Sequence, residues 1–119
     1  MGNFRELVVW KDAKQLAVQV YRLTRQLPPD ERFGLTSQLR RAAVSVSTNI
    51  AEGTGRGGDK ELVRFLFIAR GSSREVESLL EIAGELGYLS GEPLTLALKA
   101  ADGTSRQLTV MIRRLGPRA

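Results

Sequence analysis

The chain is 119 residues long, 42% hydrophobic and 26% charged, a length and balance that support one hydrophobic core, so residues 1–119 read as a single domain. It contains no cysteine and no histidine, which excludes disulfide frameworks, metal sites built on those ligands, and mechanisms that use an imidazole or a thiolate. Eighteen Lys and Arg against 13 Asp and Glu give a net charge of +5, a balance that favours polyanionic partners.

In chain order, Trp10, Ala13, Ala17, Val20, Thr24 and Leu27 recur at three- and four-residue spacing and predict a first amphipathic helix. Pro28-Pro29 ends it, because the residue before a proline is disfavoured in the α region. Leu35, Leu39, Ala42, Ala43, Val46 and Ile50 predict a second helix from about residue 35 to 53. The local alternation Ala43-Val44-Ser45-Val46-Ser47 resembles a strand, but the helical period holds over the longer window. In the third helix one heptad position reads Leu62, Ala69, Val76 and Ala83, and another reads Phe65, Ser72, Leu79 and Leu86. Leu66 and Leu80 widen that stripe, with Asp59 as the expected N-cap and Gly87 as the stop. The fourth helix follows Ser90-Gly91-Glu92-Pro93 on Leu94, Ala97, Leu98, Ala101, Ser105, Leu108, Ile112 and Leu115, and ends before Gly116-Pro117.

Four amphipathic helices with short connections predict an all-α, up-down-up-down four-helix bundle. Gly71, Gly84 and Gly103 fall inside the helical patterns, where close helix approach within the bundle or between subunits would offset a cost of about 1 kcal/mol each relative to Ala. The sequence offers no apolar run of the length a membrane span or a signal peptide needs, so a soluble, cytoplasmic protein without a membrane partner is expected.

Charge is unevenly spread. Between Glu75 and Glu92 there are five Glu and no Lys or Arg, which leaves eighteen cations against eight acids, a local +10, on the rest of the chain. Glu77, Glu81 and Glu85 form a like-charged i, i+4 row that opposes helix stability unless basic groups from another helix or another subunit hold it. Gly53-Thr54-Gly55-Arg56-Gly57-Gly58 matches the dinucleotide pattern G-x-G-x-x-G, but it follows a helix in an all-helical chain, and such a site needs a preceding strand. The loop reads either as a hinge that exposes Arg56 and Lys60 to a phosphate beside the third helix, or as a plain solvated connection. Arg41, Ser45, Asn49 and Glu52 make a polar stripe on the second helix, without the nucleophile and base that catalysis requires, and so read as a structural hydrogen-bond network with ionic ends.

Neither catalytic residues, nor metal ligands, nor a cofactor is expected. Thirteen of the eighteen basic residues stand near the end of the first helix (Arg22, Arg25), on the second (Arg40, Arg41), in the glycine loop (Arg56, Lys60), on the third (Arg64, Arg70, Arg74) and towards the C-terminus (Arg106, Arg113, Arg114, Arg118). Arginine suits bidentate phosphate contacts. Of these, Arg22, Arg25, Arg40, Arg41, Arg56, Lys60 and Arg64 are the expected nucleic-acid-binding set. The aromatic residues are scattered at positions a core would claim, so contact is expected to the backbone and not through base stacking.

Phe4-x-x-Leu7-x-x-Trp10, Phe33-Gly34-Leu35-Thr36-x-Gln38-Leu39-Arg40-Arg41-Ala42, Asn49-Ile50-Ala51-Glu52-Gly53, Phe65-Leu66-x-Ile68-Ala69-x-Gly71-Ser72, Glu75 and Leu86-Gly87-Tyr88-Leu89 together give the chain a recognisable pattern. It resembles the four-helix-bundle proteins encoded by intervening sequences of bacterial 23S rRNA genes, a family that includes the accessory variability determinant (Avd) of diversity-generating retroelements. The resemblance implies a homopentameric ring of helical bundles. For the retroelement members it also implies a basic surface that meets RNA or DNA and a reverse transcriptase partner. A protein-interaction scaffold, or a reverse-transcriptase accessory subunit with no nucleic-acid binding of its own, is the competing expectation.

Overall fold

The computed structural model describes residues 3–116. It contains four α-helices: α1 (Val8–Thr24), α2 (Leu35–Gly55), α3 (Asp59–Glu85) and α4 (Gly91–Leu115), with short 3₁₀ turns at Phe4–Glu6 and Pro29–Glu31. The Ala43 to Ser47 alternation lies wholly inside α2, so the longer period decided its conformation. Contacts run α1 to α2, α2 to α3, α3 to α4 and α4 back to α1. They are antiparallel throughout: Arg40 reaches Thr24, Ser45 reaches Ser72, Ser73 reaches Ala101 and Gln107 reaches Asp12. The result is the expected up-down-up-down bundle, 44 Å along its longest axis, close to the roughly 40 Å that a helix of α3's length spans at 1.5 Å per residue.

The links between helices follow from local chemistry. Gly57 and Gly58 take positive φ values of 77° and 117° to turn α2 into α3, a region that side chains other than glycine rarely adopt. Gly58 occupies the N-cap position of α3 with no side-chain hydrogen bond, and Asp59 is already the first helical residue, so the expected Asp59 cap does not form. Gly87, at φ 76°, ends α3 as expected: its N–H bonds to the Gly84 carbonyl and the Tyr88 N–H to the Ala83 carbonyl, the two bonds of a Schellman motif.

Two apolar clusters fill the bundle. One holds Leu16, Val20, Leu39, Val76, Leu80 and Ala97; the other holds Val9, Val46, Ile50, Leu62, Leu66 and Leu108. Between them on α3 and α4 lie the buried hydroxyl residues Ser73, Thr104 and Ser105. Most of the predicted α3 stripe is buried, but Leu86 is 55% exposed and Ser73 is buried where Ser72 was expected. Of the three helix-interior glycines singled out, only Gly84 meets a neighbour within the chain, since a Cβ there would approach Leu94 to 2.9 Å, while Gly71 and Gly103 face open space. Close approach is instead strongest at Gly53, where a Cβ would come within 2.8 Å of the Phe65 Cβ.

Candidate nucleic-acid interface

The basic residues separate into groups at opposite ends of α2, because residues 40 and 56 stand about 24 Å apart at 1.5 Å of rise per residue. At the glycine-loop end the cations are compensated. Arg56 pairs with Glu52 at 2.6 Å and Arg64 with Glu61 at 3.1 Å, and both guanidinium groups lie against the ring of Phe65. The Arg64 hydrogen bond holds the Glu61 carboxyl below its ordinary range. Lys60 is exposed in the first turn of α3, flanked by Asp59 and Glu61. Arg22 lies elsewhere, in a groove between α1 and α4 that Glu92 also lines. Arg25 is exposed just beyond the end of α1.

At the other end, Arg40 and Arg41 share an open groove of about 630 Å³ with Tyr21, Arg32, Phe33, Thr36, Ser37, Val44, Ser45 and Thr48. No carboxylate is among these lining residues, and among the described residues Arg32, Arg40 and Arg41 form no ion pair. Arg40 is anchored: its Nε donates to Thr24 Oγ1 at 2.9 Å, its Nη2 donates to the Tyr21 carbonyl at 3.4 Å, and it lies 4.6 Å from the Tyr21 ring centroid. This places a cation against the last turn of α1, where the helix dipole favours one. Two of the five guanidinium donors are used, so three remain for a ligand.

Arg32 and Phe33 project from the short link between the Pro29–Glu31 turn and α2. Glu31 pins that link, because its Oε1 accepts from the Leu35 N–H at 3.0 Å and its Oε2 accepts from the Tyr88 hydroxyl at 3.3 Å. Burial, and then the neighbouring Glu31 carboxylate, hold the Tyr88 hydroxyl above its usual pKa. With Glu31 and Leu35 turned to the protein, Phe33 is left 83% exposed, with the Arg32 guanidinium 4.6 Å from its ring centroid. The expectation that aromatic residues serve the core therefore fails here: Phe33, Phe67 and Tyr21 all stand among the exposed large apolar residues, whereas Phe65 is buried. Arg32 escaped the sequence reading as well. The available signal was position, since Arg32-Phe33 sits in a linker between a proline stop and the next helical period.

The polar stripe on α2 is only partly joined. Asn49 Nδ2 donates to Ser45 Oγ at 2.9 Å, and Ser45 Oγ lies 2.9 Å from Ser72 Oγ, tying α2 to α3. Its ionic ends do not meet: Glu52 pairs with Arg56, and Arg41 lines both the groove and a smaller pocket shared with Glu75.

A longer polar chain joins α3 to α4. Ser73 Oγ donates to the Ala101 carbonyl at 2.9 Å, Ser105 Oγ lies 2.7 Å from Ser73 Oγ and 2.9 Å from Glu77 Oε2, and Arg74 bridges Glu77 and Asp102. Hydrogen bonds from Arg106 and Arg74 hold the Asp102 carboxyl below its ordinary range. Glu77 is thus held by groups of its own subunit, whereas Glu81 and Glu85 are exposed. Arg118 lies outside the described residues. No described helix is long and apolar enough to cross a membrane.

The family model described as 23S rRNA-intervening sequence protein matches residues 5–110. A crystal structure of a protein with unknown function from the S23 ribosomal protein family of Bacteroides thetaiotaomicron VPI-5482 superposes with a TM-score of 0.81, at 23% identity over 88% of this chain and 98% of that one. Comparison with curated proteins finds no match.

Proposed function

The chain belongs to the family of 23S rRNA-intervening sequence proteins, and from that membership together with the groove chemistry we propose that it is a non-enzymatic, ring-forming oligomer that binds the phosphate backbone of RNA or DNA. The observation that carries this reading is the convergence of Arg32, Arg40 and Arg41 on one groove whose lining contains no carboxylate. Guanidinium groups left unneutralised by their own chain gain most from a polyanion, which releases its counterions on contact. Hydroxyls of Thr36 and Ser37 add neutral donors along the same wall, the kind of group that commonly accompanies arginine at phosphate contacts. For ring formation the supporting features are the grooves between α1 and α4, where exposed Val8, Leu96 and Val110 leave apolar surface for a neighbouring subunit.

A titration of a fluorescein-labelled RNA oligonucleotide across salt tests the binding. Affinity is expected to fall linearly on a log–log salt plot; no binding even at low ionic strength refutes it. Light scattering tests the ring, and a strictly monomeric mass at micromolar concentration counts against it. A second reading, a scaffold or reverse-transcriptase accessory subunit without nucleic-acid contact, is favoured by the same apolar α1–α4 face and is what a failed titration would leave.

A further inference from the structure

We infer that the groove between α1 and the start of α2 takes single-stranded nucleic acid, with one unpaired base stacked on Phe33 and a neighbouring base on Tyr21 while the phosphates meet Arg32, Arg40 and Arg41. The inference rests on the nucleic-acid reading above and goes beyond it, because backbone contact alone needs no aromatic ring.

Three observations carry it. Phe33 is 83% exposed in a surface link held by Glu31 and Gly34. The groove also holds two ring–guanidinium pairs, Phe33 with Arg32 and Tyr21 with Arg40, each at 4.6 Å. A single strand repeats a flat base and a phosphate, so a surface that repeats a ring and a cation matches it unit for unit. Finally, the rings lie in a concave groove with uncompensated arginines. In a duplex the bases are already stacked on one another and cannot reach a ring on a protein wall, so the stacking contribution is open only to unpaired nucleotides. The rival occupant is a second copy of this chain, whose exposed Glu81 and Glu85 could face the arginines. Those carboxylates match the cations alone, whereas a strand brings a phosphate and a base in every repeat.

The test compares labelled oligouridine, an abasic sugar–phosphate strand of equal length and a duplex of equal length at one low salt concentration, with the mass followed by light scattering. Oligouridine is expected to bind more tightly than either of the others. Phe33→Ala is expected to weaken oligouridine binding roughly tenfold, leaving the abasic strand, the mass and the circular dichroism unchanged. Phe33→Trp should keep the affinity and Phe33→Leu should lose it, because the contact requires a flat ring. Equal affinity for oligouridine and the abasic strand, with Phe33→Ala silent, overturns the stacking site but leaves backbone binding standing. Tighter binding of the duplex overturns it too. A fall in mass with Phe33→Ala assigns the ring to a subunit contact and overturns the inference, whereas no binding of any strand removes the underlying reading as well.

Discussion

The buried hydroxyl pair between α3 and α4 gives a quantitative test of how the bundle is held together. Ser73 is fully buried, its Oγ donates to the Ala101 carbonyl, and it lies 2.7 Å from Ser105 Oγ. Ser73→Ala removes the bond to the Ala101 carbonyl, about 1 kcal/mol, and the shared contact, about 0.5 kcal/mol because the one Ser105 proton is divided between Ser73 and Glu77, so about 1.5 kcal/mol is expected. Ser105→Ala removes the shared contact and a bond to a charged group, but Glu77 keeps Arg74, so about 1.5 kcal/mol is expected. The double variant loses the shared contact only once and should cost about 2.5 kcal/mol, roughly 0.5 kcal/mol less than the sum of the singles. Urea denaturation at one fixed protomer concentration, with unchanged m-values, measures all three. In thermal melts 1 kcal/mol corresponds to about 4 °C for a chain of this size. Additive costs within about 0.3 kcal/mol would show that the two hydroxyls do not act as a unit and refute the reasoning.

Two further predictions concern the same scaffold. Gly53→Ala and Gly71→Ala should move stability in opposite directions. A Cβ at 53 meets Phe65 and Leu62 at 2.8 and 3.1 Å and overpacks the α2–α3 contact at a net cost of about 1 kcal/mol or more, whereas one at 71 enters open space and should gain up to about 1 kcal/mol of helix propensity; matching losses in both melts would contradict this. For pH, the Asp102 carboxyl sits below its ordinary value of 3.8 because Arg106 and Arg74 bond its charged form. Its contribution is therefore complete above that value and lost as pH falls through the lower folded one, where the unfolded chain binds more protons. Asp102→Asn should shrink the acid limb of the stability curve and converge with the parent at the lowest pH, and an unchanged acid limb would oppose the assignment.

Much of the bundle can be read from residue periodicity, and the failures have physical causes. α2 and α4 begin and end close to where apolar spacing and the flanking Gly and Pro place them. On α3 a strict heptad was projected onto a helix of 3.6 residues per turn, which drifts about 20° per heptad. Ala83, three heptads beyond Leu62, nonetheless stays buried, and Leu86 is exposed because it is the C-cap beyond the end of α3 at Glu85. The N-cap at Asp59 failed because Gly58, with its positive φ, took the cap position. For the site, the neutralisation of Arg56 and Arg64 was accessible from their i, i+4 and i, i+3 carboxylates. The partnership of Tyr21 on α1 with Arg40 on α2 was not, since it depends on the register between two helices. Phe33 was hidden by the assumption that an aromatic residue seeks the core, when Glu31 and Gly34 fix its backbone in a surface link.

The account turns on which arginines meet the polyanion, and one salt-dependence comparison decides it. The slope of log affinity against log salt for a single-stranded RNA is measured for the parent, for Arg32→Gln/Arg40→Gln/Arg41→Gln, and for Arg56→Gln/Lys60→Gln/Arg64→Gln. Each lost phosphate contact should flatten the slope by about 0.7, so the groove variant is expected to lose about 2 units while the glycine-loop variant stays near the parent. A slope that falls only in the glycine-loop variant, or in neither, would contradict the assignment of the groove as the nucleic-acid interface.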